Sequence, residues 1–169
     1  DHRDLHSFPT RRSSDLSKVV DFAAVTSPLT IQKPLHKTHL ASYREILIGG
    51  TKYKELASQI RSLNDLSGIP VIGLADGTGT RELYHRYFLS HGLMFAPDME
   101  AATTDQILPM IIHNLGIGFY PEELAAEAIA RGSAYAIRLV EPIPEREICL
   151  VTNSSTQMSA AVRKVISFL

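Results

Sequence analysis

Two short segments place hydroxyls, small residues and helix-start amides next to one another. The first is Asp76-Gly77-Thr78-Gly79-Thr80, and the second is Ala102-Thr103-Thr104-Asp105. Glycine lets backbone come close to a ligand. Amides at a helix start carry partial positive charge and suit an anion. Thr78, Thr80 and Thr103 add hydroxyl donors. Two such helix starts facing one cleft would hold a small carboxylate. Each also has a purely structural alternative. Thr78 or Thr80 can serve as an N-cap, worth about 1 kcal/mol, and Thr103 with Gln106 has the spacing of a capping box. The run from Gly77 to Thr80 is not a phosphate loop, because it lacks the Gly-Lys-Ser/Thr ending, and it is not a full G-x-G-x-x-G fingerprint.

Other reactive side chains point to less. His36 and His39 are three apart, but no cysteine or carboxylate supports them at close spacing, so no metal site is expected. His85 and His91 read as a solvated helix face, and His113 as a helix C-terminal residue, where positive charge is favoured. Cys149 lies in an apolar strand and reads as an inert buried thiol. Glu122 and Glu123 fit dipole compensation in a first helical turn. No Ser-His-Asp set with a nucleophile elbow is present. Asp76 and Asp105 are the carboxylates nearest the two loops, and an enzyme would have to use one of them as acid or base. No cofactor is expected.

The elements that would position these loops follow from periodicity. Val19–Val25, Glu45–Ile48, Ile69–Leu74, Leu115–Tyr120, Ala134–Val140 and Glu147–Val151 read as strands. Leu29–Ser42 is polar and reads as a loop. Tyr53–Ile60 reads as a short helix and Leu63–Leu66 as one helical turn. A helix over Thr80–His91 carries Leu83, Tyr84, Tyr87 and Phe88 at helical spacing, and Gly92 stops it. Leu93–Met99 extends toward a strand. The helix after Thr103 carries Ile107, Leu108, Ile111 and Ile112, with Pro109 straining it from inside. Pro121 opens the next helix and Gly132 closes it. Ser159–Leu169 reads as a final helix. Strand–helix alternation implies an α/β fold with a mostly parallel sheet and helices on its faces. In such folds ligands bind beyond the carboxyl ends of the strands, where both loops stand.

Size and charge bound the class. A chain of 169 residues fits one domain or one two-lobed domain. Seventeen basic against eighteen acidic residues, a net charge of -1, argue against a large nucleic-acid footprint. With a single cysteine no internal disulfide can form, which suits a reducing, cytoplasmic setting. No apolar run approaches the ~20 residues that span a bilayer, so a soluble protein is expected. Residues 1–16 have no period of either kind, and neither Arg11-Arg12 nor Ser13-Ser14 is assigned a function. His6 to Leu16 (HSFPTRRSSDL) resembles the translation of a sequencing-adapter oligonucleotide, and the segment 1–16 is set apart as an artefact or tail.

From Val19 onward a family resemblance accumulates. Asp21-Phe22-Ala23-Ala24-Val25 resembles the Asp-Leu/Phe-Ala/Gly-Ile strand of LysR-type effector-binding domains. Leu63-Asn64-Asp65-Leu66 with Ile69-Pro70-Val71-Ile72 is similar to a later segment of that family, and Gly77-Thr78-Gly79-Thr80-Arg81 to its Gly-Ser/Thr-Gly-x-Arg loop. Asn114 to Pro121, and the ending Ile148-Cys149-Leu150-Val151 with Ser159-Ala160-Ala161, match in order and spacing.

The resemblance implies a periplasmic-binding-protein-like fold, two α/β lobes with a small effector in the cleft between them. It places 17–73 and 139–169 in the first lobe, which would then be incomplete, and 74–138 in the second. Carried over by position, the cleft is lined by Thr26, Ser27, Thr78, Gly79, Thr80, Thr103, Phe119 and Tyr120. Phe119 and Tyr120 fit a core position equally. The resemblance further implies a non-enzymatic sensor of a small, carboxylate-bearing molecule. It implies homodimers or homotetramers of the full-length protein, and DNA contact through an N-terminal helix-turn-helix that this chain does not contain. A first lobe so shortened would expose a sheet edge and part of its core, giving poor solubility or a non-native partner there. Two alternatives share the fold: a dehydratase-like enzyme, and an extracytoplasmic solute-binding protein, which needs an upstream signal peptide.

Overall fold

A computed structural model describes residues 22–153 and 163–164 of the chain. It divides into two compact units, residues 1–42 with 146–169 and residues 43–145.

In the first unit, strands β1 (Phe22–Thr26), β2 (Leu35–Tyr43) and β8 (Arg146–Asn153) form a sheet of order β1-β8-β2. β1 and β8 run antiparallel, with Ala23 opposite Val151 and Val25 opposite Cys149. Side chains alternate along a strand. These four therefore share one face, where Leu29, Ile31 and Leu35 close a small core. β2 corrects the expected loop over Leu29–Ser42. Most of its residues are exposed, so no alternation of apolar residues announced it. It is held instead by pairing with β8 and by an ion pair from Lys37 to Glu147 at 2.6 Å. Cross-strand contacts of this kind favour strand where propensity alone does not. Of the expected final helix, only Arg163 and Lys164 are described, and both are helical; the rest, like residues 1–16 and the start of the first strand, lies outside the described residues.

The second unit is built on a five-stranded sheet of order β5-β4-β6-β3-β7. The strands are β3 (Glu45–Gly50), β4 (Val71–Leu74), β5 (Met99–Ala101), β6 (Ile117–Pro121) and β7 (Ala134–Ile137). β5, β4 and β6 are parallel. β3 is antiparallel to both β6 and β7. The sheet is therefore mixed, not mostly parallel. β3 and β4 are central strands of this sheet, so residues 43–73 and 139–145 fall in the same unit as 74–138. The division comes at 42/43 and 145/146, not at 73/74 and 138/139.

Helices α1 (Gly79–Ser90), α2 (Thr104–Ile112) and α3 (Glu122–Ala130) follow β4, β5 and β6. α1 ends where predicted, at Gly92 with φ +74°, a conformation glycine adopts without strain. Pro109 is accommodated within α2. The segment from Tyr53 to Ile60 forms 3-10 turns at Thr51–Tyr53 and Leu56–Ser58, not a helix. Seven or eight residues repay helix nucleation poorly. The sheet has a core on each face. On one, Tyr84, Tyr87 and Phe88 of α1 pack against Leu47, Ile117 and Phe119. On the other, Ile107 and Ile111 of α2 and Ala125 of α3 pack against Ile48, Ile72 and Tyr120. A Cβ on Gly50 would lie 2.2 Å from the Ile111 carbonyl oxygen, so glycine is what lets α2 approach β3 this closely.

Candidate functional site

The strand order of the second unit fixes where a ligand can enter. From β4 the chain passes to β5 on one side, then returns to β6 on the other. α1 and α2 consequently cover opposite faces. Such a switch point opens a crevice beyond the carboxyl ends of the parallel strands. β4, β5 and β6 end there at Leu74, Ala101 and Pro121, and the Ala75 amide donates to the Ala101 carbonyl at 3.1 Å, tying two of the ends together.

Thr78 is the N-cap of α1. Its hydroxyl oxygen accepts from the Arg81 amide at 3.1 Å and donates to the Ala75 carbonyl at 3.0 Å. That hydroxyl therefore serves the fold. The amide of Gly79, in the first turn, has no acceptor within the helix, and Gly79 and Thr80 are half-buried. Arg81 is drawn to the sheet side, with Nη1 3.5 Å from Glu100 and the guanidinium 5.3 Å from the Phe95 ring centroid.

Thr103 precedes α2, exposed and without a side-chain cap bond. The predicted capping box is half formed and displaced by one residue. Gln106 accepts from the Ala102 amide at 2.9 Å, not from that of Thr103. The Thr103 hydroxyl is thus free of the capping duty that occupies Thr78.

Phe119 and Tyr120 are neighbours that point to opposite faces of β6. Phe119 stacks on Tyr84 with ring centroids 4.1 Å apart, inside the α1 core. Tyr120 lies on the α2 side, and its hydroxyl has no hydrogen-bond partner among the described residues. Burial, and then the negative charge of Asp105, raise its pKa.

In the first unit Thr26 and Ser27 end β1. Arg146, 2% exposed, closes its guanidinium on them. Nε and Nη2 donate to the Ser27 carbonyl at 3.0 and 2.6 Å, and Nη2 to the Thr26 hydroxyl at 3.1 Å. The Ser27 hydroxyl accepts from the Glu147 amide at 2.9 Å. The planar fork of arginine suits this corner.

Two polar residues here escaped the sequence analysis. One is Arg146. The other is Glu45, 5% exposed at the start of β3, whose carboxylate accepts from the Tyr84 hydroxyl. Strand period gave a signal for Glu45, since it shares a face with Leu47. His36 and His39 lie on β2, where His39 Nε2 is 3.1 Å from the Ser42 hydroxyl. Among the described residues no three His, Cys, Asp or Glu side chains gather as a metal site, and no helix is long and apolar enough to cross a membrane.

Comparison with known proteins gives this geometry a family. The HTH-type transcriptional regulator YeiE of Escherichia coli K12 is 24% identical over 142 residues, 82% of this chain and 48% of YeiE. The chain thus spans about half the length of the curated relatives it matches. Among solved structures, the regulatory domain of CcmR from Synechocystis PCC6803, in complex with 2-PG, superposes with a TM-score of 0.79 at 16% identity, over 94% of this chain and 76% of that one. The effector binding domain of QuiR, in complex with shikimate, gives 0.77 at 16% identity, over 94% and 74%. The bromide-bound regulatory domain of HypT from Salmonella typhimurium gives 0.76 at 15% identity, over 94% and 75%. These likenesses establish the fold. The family model for the LysR substrate binding domain matches residues 4–169, including His6 to Leu16. The chain belongs to the LysR substrate-binding domain family.

Proposed function

We propose that this chain is the effector-sensing part of a LysR-type transcriptional regulator and binds a small carboxylate-bearing molecule without transforming it. The observation that carries the reading is the switch point at β4, where the first turns of α1 and α2 stand over the ends of adjacent parallel strands. Orphan amides at two helix starts favour an anion. The Gly79 backbone, the Thr103 hydroxyl and the Tyr120 hydroxyl are the proposed contacts there, with Thr80 beside them and Thr78 holding the α1 start in shape. Phe119 supports Tyr120 from the opposite face. Thr26 and Ser27 form a separate candidate polar edge on the first unit, fixed by Arg146. The bromide ion in HypT supports a fold that accepts simple anions, and the 2-PG and shikimate complexes support small-molecule effectors.

In this reading DNA contact belongs to a helix-turn-helix region of the full-length protein, which works in the cytoplasm as a homodimer or homotetramer. The name of YeiE supports that context. Calorimetry and thermal-shift measurements against a broad panel of small carboxylates test it. Saturable binding of at least one, weakened by Thr103→Ala, is expected. No response across the panel, or turnover of a ligand abolished by Asp76→Asn or Asp105→Asn, overturns the reading.

A further inference from the structure

The two ends of β4 differ in chemistry. The carboxyl end leads to the helix starts described above. The amino end, at Val71, borders a cavity of about 380 Å³, within the roughly 300–1,000 Å³ of small-molecule sites. Leu63, Leu66, Phe88 and Phe95 form its buried wall. That wall is fixed by ring packing: Phe88 and Phe95 lie 4.9 Å apart, and Phe95 lies 5.7 Å from Tyr84. The mouth is the opposite, since Met94 is 80% exposed. An unbranched thioether adapts to the shape of what it covers.

The charge at the rim has one sign. Among the described residues, Asp98 is the only charged one lining the cavity. Two backbone-level bonds hold it in place: its Oδ2 accepts from the Val71 amide at 2.9 Å, and its own amide donates to the Val71 carbonyl at 2.9 Å. No cationic side chain among the described residues pairs with it. Arg81, the cation beside Phe95, is committed to Glu100. A carboxylate offers about four acceptor positions, and the Val71 amide takes one.

From this pairing of a rigid apolar wall with a fixed anion, we propose that the amino-terminal end of β4 is a second ligand site, which takes a small organic cation with an apolar body. The ammonium group donates to Asp98 in a charge-assisted bond, and the body covers Phe88 and Phe95 under Met94. The site selects the sign of charge opposite to that favoured at the carboxyl end. It stands independently of the effector reading.

Titration of the isotope-labelled chain with phenethylamine, followed by amide chemical shifts, tests the proposal. Saturable shifts confined to residues 63–71 and 88–98 are expected by about 10 mM ligand, with phenylacetate leaving those residues unmoved. Asp98→Asn can keep the Val71 bond through its amide oxygen, and should weaken phenethylamine binding about tenfold. An arm that needs no variant is salt: raising it from about 20 to 300 mM should also weaken binding. Absence of saturable shifts at these residues, equal shifts with phenylacetate, or affinity indifferent to both Asp98→Asn and salt overturns it.

Discussion

Tyr84 donates its hydroxyl to the Glu45 carboxylate within the second unit, joining α1 to the first residue of β3. Both residues are buried, at 3% and 5% exposed. The same Tyr84 ring stacks on Phe119. One side chain thus couples a packing contact and a polar contact, and a substitution can separate them. Tyr84→Phe keeps the ring and deletes the donor to a buried carboxylate. Hydrogen bonds to charged groups contribute about 1.5–3 kcal/mol, so a loss of that size is expected in urea unfolding, with an unchanged dependence on urea concentration. A variant as stable as the parent would mean that the pair holds nothing.

The threonines before α1 and α2 have the same residue type and different duties, which predicts opposite phenotypes. Thr78→Ala removes the acceptor of the Arg81 amide and should cost about 1 kcal/mol of stability. Thr103→Ala removes no cap bond, so its stability should stay within about 0.5 kcal/mol of the parent. Its effect should appear in carboxylate affinity measured by calorimetry. Equal stability losses in the two variants would contradict this division of roles.

What could be seen in the sequence was local. The spacing of Leu83, Tyr84, Tyr87 and Phe88 was enough to locate α1, and Gly92 its end, because a helix buries its face by contacts within its own period. β2 was not legible, because its stabilising partner is a strand more than a hundred residues away, joined through Lys37 and Glu147. The unit boundary failed for the same reason. Nothing in Glu45-Ile46-Leu47-Ile48 says that the strand inserts between β6 and β7. The loops carrying Thr78 and Thr103 were visible as glycine- and threonine-rich helix starts, but which hydroxyl is consumed by capping depends on the angles of Ala75 and Arg81. Glu45 and Arg146 acquire their meaning from partners 39 and 119 residues distant.

The Lys37–Glu147 pair predicts an acid-side dependence of stability. The hydrogen bond from Lys37 holds the Glu147 carboxyl below its ordinary value of 4.5. A carboxyl depressed in the folded state adds stability above that ordinary value, and the contribution fades as pH falls through the folded value. Lys37→Met should therefore melt below the parent near neutrality, with the two converging under acid. Both side chains are partly solvated, so added salt should narrow the gap as well. The alkaline side is governed by tyrosines. Burial raises Tyr53, Tyr87 and Tyr120 above the ordinary value of 10.0. The unfolded chain then ionises first, and stability should fall as pH rises past that value. Melting temperatures across the pH range, with phenolate absorbance recorded in parallel, check both limbs.

Phe119 and Tyr120 are adjacent in β6 and face opposite cores, which turns one sequence feature into two separable experiments. Phe119 stacks on Tyr84 and makes edge contacts with Tyr87 and Phe88. Phe119→Leu should cost at least the roughly 0.5–1.5 kcal/mol of an aromatic pair, with ligand affinity following only through stability. Tyr120→Phe deletes a hydroxyl that no described residue bonds, so its stability should stay within about 0.5 kcal/mol. If the ring lines the carboxyl edge beside Asp105 as a ligand contact, the same variant should weaken carboxylate binding about tenfold, the range of one hydrogen bond to a charged group. Calorimetry on the two variants, each beside its own unfolding curve, decides the matter. Undiminished affinity in Tyr120→Phe would return Tyr120 to the core with Phe119, leaving Gly79, Thr80 and Thr103 as the polar groups of that edge.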